Sequence, residues 1–131
     1  MSKTLFTGDY EINASARMLY PYLFSPSGLA QWFADDVSVD EDGNYTFTWE
    51  GEAHQARVLA HRTNHYVKFE FLPENEEDKE DPSYFEIRLE VNELTQSVFI
   101  KITDYSDIDD QGELADLWES LIHTLKETVG G

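Results

Sequence analysis

Apolar and polar positions along this chain repeat with two different periods. Near the C-terminal end Leu114, Leu117, Trp118, Leu121, Ile122, Leu125 and Val129 recur at steps of three and four. Glu113, Asp116, Glu119, His123, Thr124 and Glu127 fall between them. That spacing predicts one amphipathic helix over residues 112 to about 128, with an apolar stripe too long to be left in water. Most of the preceding chain alternates with a period of two, the mark of strands with one buried face. Phe6, Gly8, Tyr10 and Ile12 share one phase, and Val37 and Val39 make a brief second strand. Tyr45, Phe47 and Trp49 follow, then His54, Ala56, Val58 and Ala60, then Val67, Phe69 and Phe71. Phe85, Ile87, Leu89 and Val91 form a sixth set, and Val98, Ile100 and Ile102 a seventh.

Between the first two strands the period returns to that of a helix. Ser15 is a candidate N-cap, and Met18, Leu19, Tyr22 and Leu23 give an apolar face. Pro21 inside this segment predicts a shortened or bent helix. Ser25-Pro26 starts a second short helix, since proline at the first helical position gives up no hydrogen bond. Leu29, Trp32 and Phe33 then share one side of it. Gly43 and Gly51 mark tight turns between strands. In the loop over residues 73–82, six of the eight residues from 74 to 81 are acidic, which predicts a solvated hairpin tip. Gly130 and Gly131 are expected to fray. Short turns favour antiparallel pairing of neighbouring strands. The expected fold is therefore α+β: a curved antiparallel sheet of about seven strands with all helices on one face. A bent sheet around one long helix leaves space between them, where a pocket is expected.

The order of strand, two short helices, six strands and long helix resembles the helix-grip fold. Ser25-Pro26-Ser27-Gly28-Leu29-Ala30-Gln31-Trp32-Phe33, directly after Tyr20-Pro21-Tyr22-Leu23, is similar to the "P-x-x-L-x-x-W" helix pair of START-like domains. Within that superfamily, also called Bet v 1-like or SRPBCC, the chain looks most like the group containing the activators of the Hsp90 ATPase. The resemblance spans residues 1–131 as one START-like domain. It implies a cavity between the long helix and the concave sheet, entered near the short helices. Members of the superfamily bind lipids, sterols, polyketides or hormones, cyclise polyketides, or contact a chaperone. Carried onto this chain, the implied lining is Trp32 and Phe33 from the short helices, with Phe47, Trp49, His54, Ala56 and Val58 from the middle strands. Phe69, Phe71, Phe85 and Ile87 add to it, as do Trp118, Leu121, Ile122 and Leu125 from the long helix. The expected ligand is an apolar or aromatic small molecule. The alternatives are a protein-interaction module acting through its acidic surface, and an enzyme of the cyclase or hydratase type.

Charge and chemistry narrow this picture. Nine Lys and Arg stand against 27 Asp and Glu, a formal charge of −18, which repels phosphate backbones and anionic lipid surfaces. Nucleic acid is not an expected partner; the acidity is read first as a solubilising surface, with an acidic face for a basic protein as the alternative. No stretch approaches the ~20 apolar residues of a membrane span. With no cysteine there is no disulfide framework or thiolate metal site, and a cytoplasmic location is expected. No cofactor is expected. The four histidines lack metal spacing on a common face. Asp107-x-Asp109-x-Gln111-Gly112 begins like a calcium loop but has Trp118 where the twelfth position requires a bidentate Glu. These acids are better read as complementing a helix N-terminus. Ser15, Ser25 and Ser120 lack a nucleophile motif. His54, on an inward phase beside small alanines, is the candidate acid, base or anchor, with Tyr10 and Tyr45 behind it. No pair of reacting groups emerges, so catalysis is not the expected role.

Overall fold

The computed structural model describes residues 3–107 and 110–131, with the side chain of Glu77 set aside. Asp109, and with it the calcium-loop pattern, lies outside the described residues. Strands β1 (Thr4–Ile12), β2 (Asp36–Val39), β3 (Tyr45–Trp49), β4 (Glu52–Arg62), β5 (Tyr66–Phe71), β6 (Tyr84–Asn92) and β7 (Ser97–Ser106) form one sheet. Its order is β1-β7-β6-β5-β4-β3-β2, antiparallel throughout. The first strand thus pairs with the last, Thr4 opposite Ser106 and Ile12 opposite Val98. Helices α1 (Ala16–Phe24) and α2 (Pro26–Leu29) carry the chain from one sheet edge to the other. Helix α4 (Gln111–Val129) packs along β1 and over the inner face. Among the described residues no helix is long and apolar enough to cross a membrane.

The helix ends follow from local chemistry. The Ser15 hydroxyl accepts from the Met18 N–H at 3.1 Å and starts α1. Pro21 neither shortens nor breaks it: α1 runs on to Phe24. Met18 turns outward, 58% exposed, and Tyr20 takes its place beside Leu19 and Leu23 in the buried set. Ser25 then joins the two helices, its hydroxyl donating to the Pro21 carbonyl and accepting from the Gly28 N–H. The Asp110 carboxylate caps α4 by accepting from the Gly112 and Glu113 N–H groups. Gly130, left-handed at φ 78°, closes it, with its N–H donating to the Lys126 carbonyl. The two terminal glycines are therefore held rather than frayed. Gly131 also donates to Lys126 and lies so near Asn13 that a Cβ would meet the Asn13 carbonyl oxygen at 2.5 Å.

Two local departures bear on the site. The acidic loop after β5 is more than a hairpin tip, because it folds a short helix, α3 (Glu76–Glu80). Lys3 Nζ donates to Asp78 Oδ1 at 3.1 Å and to the Asp81 carbonyl, and the Tyr105 hydroxyl donates to the Asp81 carboxylate. In β4 the pairing register shifts between Val58 and Ala60, as a β-bulge does. The inward phase therefore changes within the strand. Ala60 leaves it, and His61, opposite Val67, stacks on Phe24 at 4.7 Å between ring centroids.

Candidate functional site

Core and cavity divide the inner face between them. At its centre Phe47, Phe69, Ile87, Ile100 and Ile102 are fully buried under Leu114, Ile122 and Leu125. The rings interlock, Phe47 edge-on to Phe69 at 5.4 Å and Phe69 stacked on Phe85 at 5.1 Å. Toward the ends of β3, β5 and β7 the sheet and the N-terminal half of α4 separate around a cavity of about 620 Å³, within the usual range for small-molecule sites. Leu117, Trp118 and Leu121 line its helix side, and Phe33, Trp49, His54, Phe71 and Phe85 line its other walls. Leu117 and Leu121 belong to the apolar stripe of α4 but face this space: Leu117 is 44% exposed and Leu121 half-buried.

The short-helix segment is fixed beside the cavity by aromatic donors. Trp32 Nε1 donates to the Tyr22 carbonyl at 2.7 Å, Trp49 Nε1 to the Phe33 carbonyl at 2.7 Å, and the Tyr45 hydroxyl to the Phe24 carbonyl at 2.6 Å. These bonds satisfy polar atoms buried among rings and set Phe33 against Phe85 at 4.8 Å and Trp118 at 5.7 Å.

Of the fifteen residues anticipated as lining, the structure brings seven together around the cavity: Phe33, Trp49, His54, Phe71, Phe85, Trp118 and Leu121. The other eight lie elsewhere. Trp32, Phe47, Ala56, Phe69, Ile87, Ile122 and Leu125 are buried in the packed core, and Val58 is half-buried against it. His54 is partly exposed at the end of β4, yet it lines the cavity, 3.6 Å from Glu74 and 3.9 Å from Glu52. Tyr45 is a core residue whose hydroxyl is used on Phe24, and its pKa is raised by burial. Tyr10, its pKa likewise raised by burial, lies beside Glu119 and Ser120, away from the cavity.

Apart from His54, the polar residues of the cavity are absent from the lining that the sequence implies. Asp104 sits on β7 between its strand partners Phe6 and Phe85. Its Oδ2 accepts from Trp118 Nε1 at 2.7 Å. Burial pushes its pKa above the ordinary carboxylate value, against the pull of the hydrogen bonds from the Trp118 indole and Ser106, as desolvation does to any acid. Ser106 Oγ, beside it, is shielded from solvent, and its interaction with the Asp104 carboxylate draws that pKa down. The signal was present in the sequence: Asp104 and Ser106 continue the inward phase of Val98, Ile100 and Ile102. Asp35, Glu50, Glu74, Asp78 and Asp107 complete the acidic lining. Asp35 Oδ2 accepts from the Glu50 N–H.

The site's surroundings match known proteins over the whole chain. A model of the START-like superfamily domain matches residues 1–131. Among solved structures, BfR322 from Bacteroides fragilis is 34% identical, with 98% of this chain and 92% of that one aligned at a TM-score of 0.65. The Aha1 dimer from Colwellia psychrerythraea is 20% identical, with 96% of each chain aligned at a TM-score of 0.77. DynU16, a protein in the dynemicin biosynthetic locus, is 14% identical, with 96% of this chain and 47% of its own aligned at 0.73. Among curated proteins none matches. The latter two likenesses speak to the fold alone. The family match and the seven-stranded sheet with its gripping helix agree: the chain belongs to the START-like superfamily.

Proposed function

We propose that this protein binds an apolar or aromatic small molecule in the cavity between α4 and the sheet. The observation that carries the reading is the cavity itself, about 620 Å³ walled by rings and by leucines that nothing else covers. Ring faces and leucine methyls gain by leaving water, so an apolar body entering this space is favoured. Phe33, Trp49, His54, Phe71, Phe85, Trp118 and Leu121 are the contacting residues. The core behind them holds the walls in place. The test is a thermal-shift screen of apolar and aromatic compounds, with native mass spectrometry of the protein exposed to a lipid extract. A ligand that binds only the folded chain must raise its melting temperature. A Leu121→Trp variant, which narrows the space, is expected to reduce that shift. No stabilising compound at millimolar concentration, or equal shifts in the variant, refutes the reading.

The acidic surface supports a second reading, a module that docks a basic protein. The net charge of −18 would draw such a partner, and the fold is shared with the Aha1 dimer. Pull-down with wild-type chain and with Glu76→Lys/Glu80→Lys separates the cases, because both side chains are exposed. Partner capture that survives the reversal removes the acidic α3 from this reading.

A further inference from the structure

The cavity is aromatic in its walls and of one sign in its charges. Six carboxylates line it, with one histidine and no Lys or Arg among the described lining residues. Asp78 is answered by Lys3 at 3.1 Å, and Glu74 lies 3.6 Å from His54. Asp104 differs from the acids at the mouth. It lies deeper, between Phe6 and Phe85 on the sheet, and one of its oxygens takes the Trp118 indole. The other oxygen has no cation within salt-bridge reach among the described residues. Beside it Ser106 Oγ is shielded from solvent and turned to the Asp104 carboxylate. A half-buried carboxylate without a counter-ion is costly. That cost falls if a donor carrying positive charge enters the space beside it. The walls favour the same occupant, because the ring faces of Trp, Tyr and Phe attract cations.

We infer that the cavity takes an amine: a monocationic amphiphile whose ammonium donates to Asp104 and Ser106 while its flat or aliphatic body lies against Trp49, Phe71 and Trp118. The inference rests on the cavity-binding reading and narrows its ligand class. An anionic amphiphile such as a fatty acid would set a second carboxylate beside Asp104 and pass the acids at the mouth, so it is disfavoured. A metal ion is a poorer occupant, since among the described residues no three His, Asp or Glu side chains come together as metal ligands. The charge of this cavity is a property of the residues in this chain, not of the fold, because Asp104 and Ser106 occupy positions where the sheet would equally accept isoleucine or valine.

Three probes with one naphthalene body test it by calorimetry on the full chain at pH 7: 2-naphthylmethylamine, 2-naphthylmethanol and 2-naphthylacetate. The amine is expected to bind at least tenfold more tightly than the alcohol, and the acetate most weakly. Asp104→Asn keeps an acceptor for the Trp118 indole, so it should fold. It is expected to abolish the amine's advantage and leave the alcohol's affinity within about twofold. An amine no tighter than the alcohol, or an advantage that survives in Asp104→Asn, overturns the inference while the cavity reading stands. Tightest binding by the acetate does the same. No binding by any of the three up to their solubility limits overturns both. Should the variant not fold, the Trp118 indole N–H resonance of the wild type reports the same contact. The amine must shift it more than the alcohol does, and equal shifts overturn the inference.

Discussion

Gly28 is where the α1–α2 pair is most exposed to a one-methyl test. A Cβ built there would lie 2.3 Å from the Pro21 carbonyl oxygen and 2.8 Å from Tyr22 Cα. Both are backbone atoms of α1, so no rotamer change can make room. Gly28→Ala must instead push the two helices apart by roughly an ångström, against the Ser25 bonds to Pro21 and Gly28 that join them. Overpacking of this kind costs about 1–3 kcal/mol, and two backbone collisions put it near the upper end. Alanine returns at most ~1 kcal/mol of helix propensity. The net loss is then about 2 kcal/mol. At ~2.1 cal/mol/K per residue the unfolding entropy of a chain this size is near 0.28 kcal/mol/K, so the melting temperature should fall by about 7 °C. Calorimetry of Gly28→Ala beside Ser27→Ala is the assay, because Ser27 is exposed and should change little. A Gly28→Ala melting temperature equal to or above wild type would refute the contact.

Two further outcomes follow from charges. Ionising Asp104 is harder in the folded chain than in the unfolded one, because burial raises its pKa. Wild-type stability should therefore decline as pH rises from the ordinary carboxylate range through the raised pKa, then level. The melting temperature of Asp104→Asn minus that of wild type should grow across the same window, and a pH-independent difference would remove this account. Asp78 is the opposite case: the hydrogen bond from Lys3 lowers its pKa, so it contributes stability above the unfolded value that is lost as pH falls through the folded one. In Lys3→Ala the Asp78 titration followed by NMR should move up toward the ordinary carboxylate range, and the α3 amides should exchange faster. Unchanged titration and exchange would show that Lys3 does not tether this helix.

The long helix and the seven strands were legible because their signals are local. Leu114, Trp118, Ile122 and Leu125 are buried as their spacing required, and each alternating stretch became a strand. What stayed hidden depended on pairing or on distant contacts. The register shift in β4 moves His61 onto Phe24, and no period-two pattern encodes a bulge. Helix α3 depends on Lys3 and Tyr105, far away in the chain. Met18 fits a helical face on paper, but Tyr20 is the residue that turns inward. The division between cavity and core could not be read from periodicity, since Phe69 and Phe71 share one phase and only Phe71 meets open space. Asp104 was overlooked for a different reason: an acidic residue after Ile102 looks like the end of a strand, whereas the strand continues to Ser106.

A cavity here is not forced by laying a helix on a curved sheet. Along β7 the inward positions run Val98, Ile100, Ile102, Asp104 and Ser106, and the first three are buried in the core. Continuing that run with isoleucine or valine would cover Trp118, Phe85 and the inner side of Leu121. Each such side chain fully buried is worth about 1.5–3 kcal/mol. The chain instead places a carboxylate and a hydroxyl there and raises the pKa of the first. It also holds Phe33 and Trp49 in place with an indole-to-carbonyl bond that keeps the wall rigid without filling the space. Stability alone favours the apolar version at every one of these positions, so the polar end of β7 is the part of this structure whose account must come from what the cavity holds.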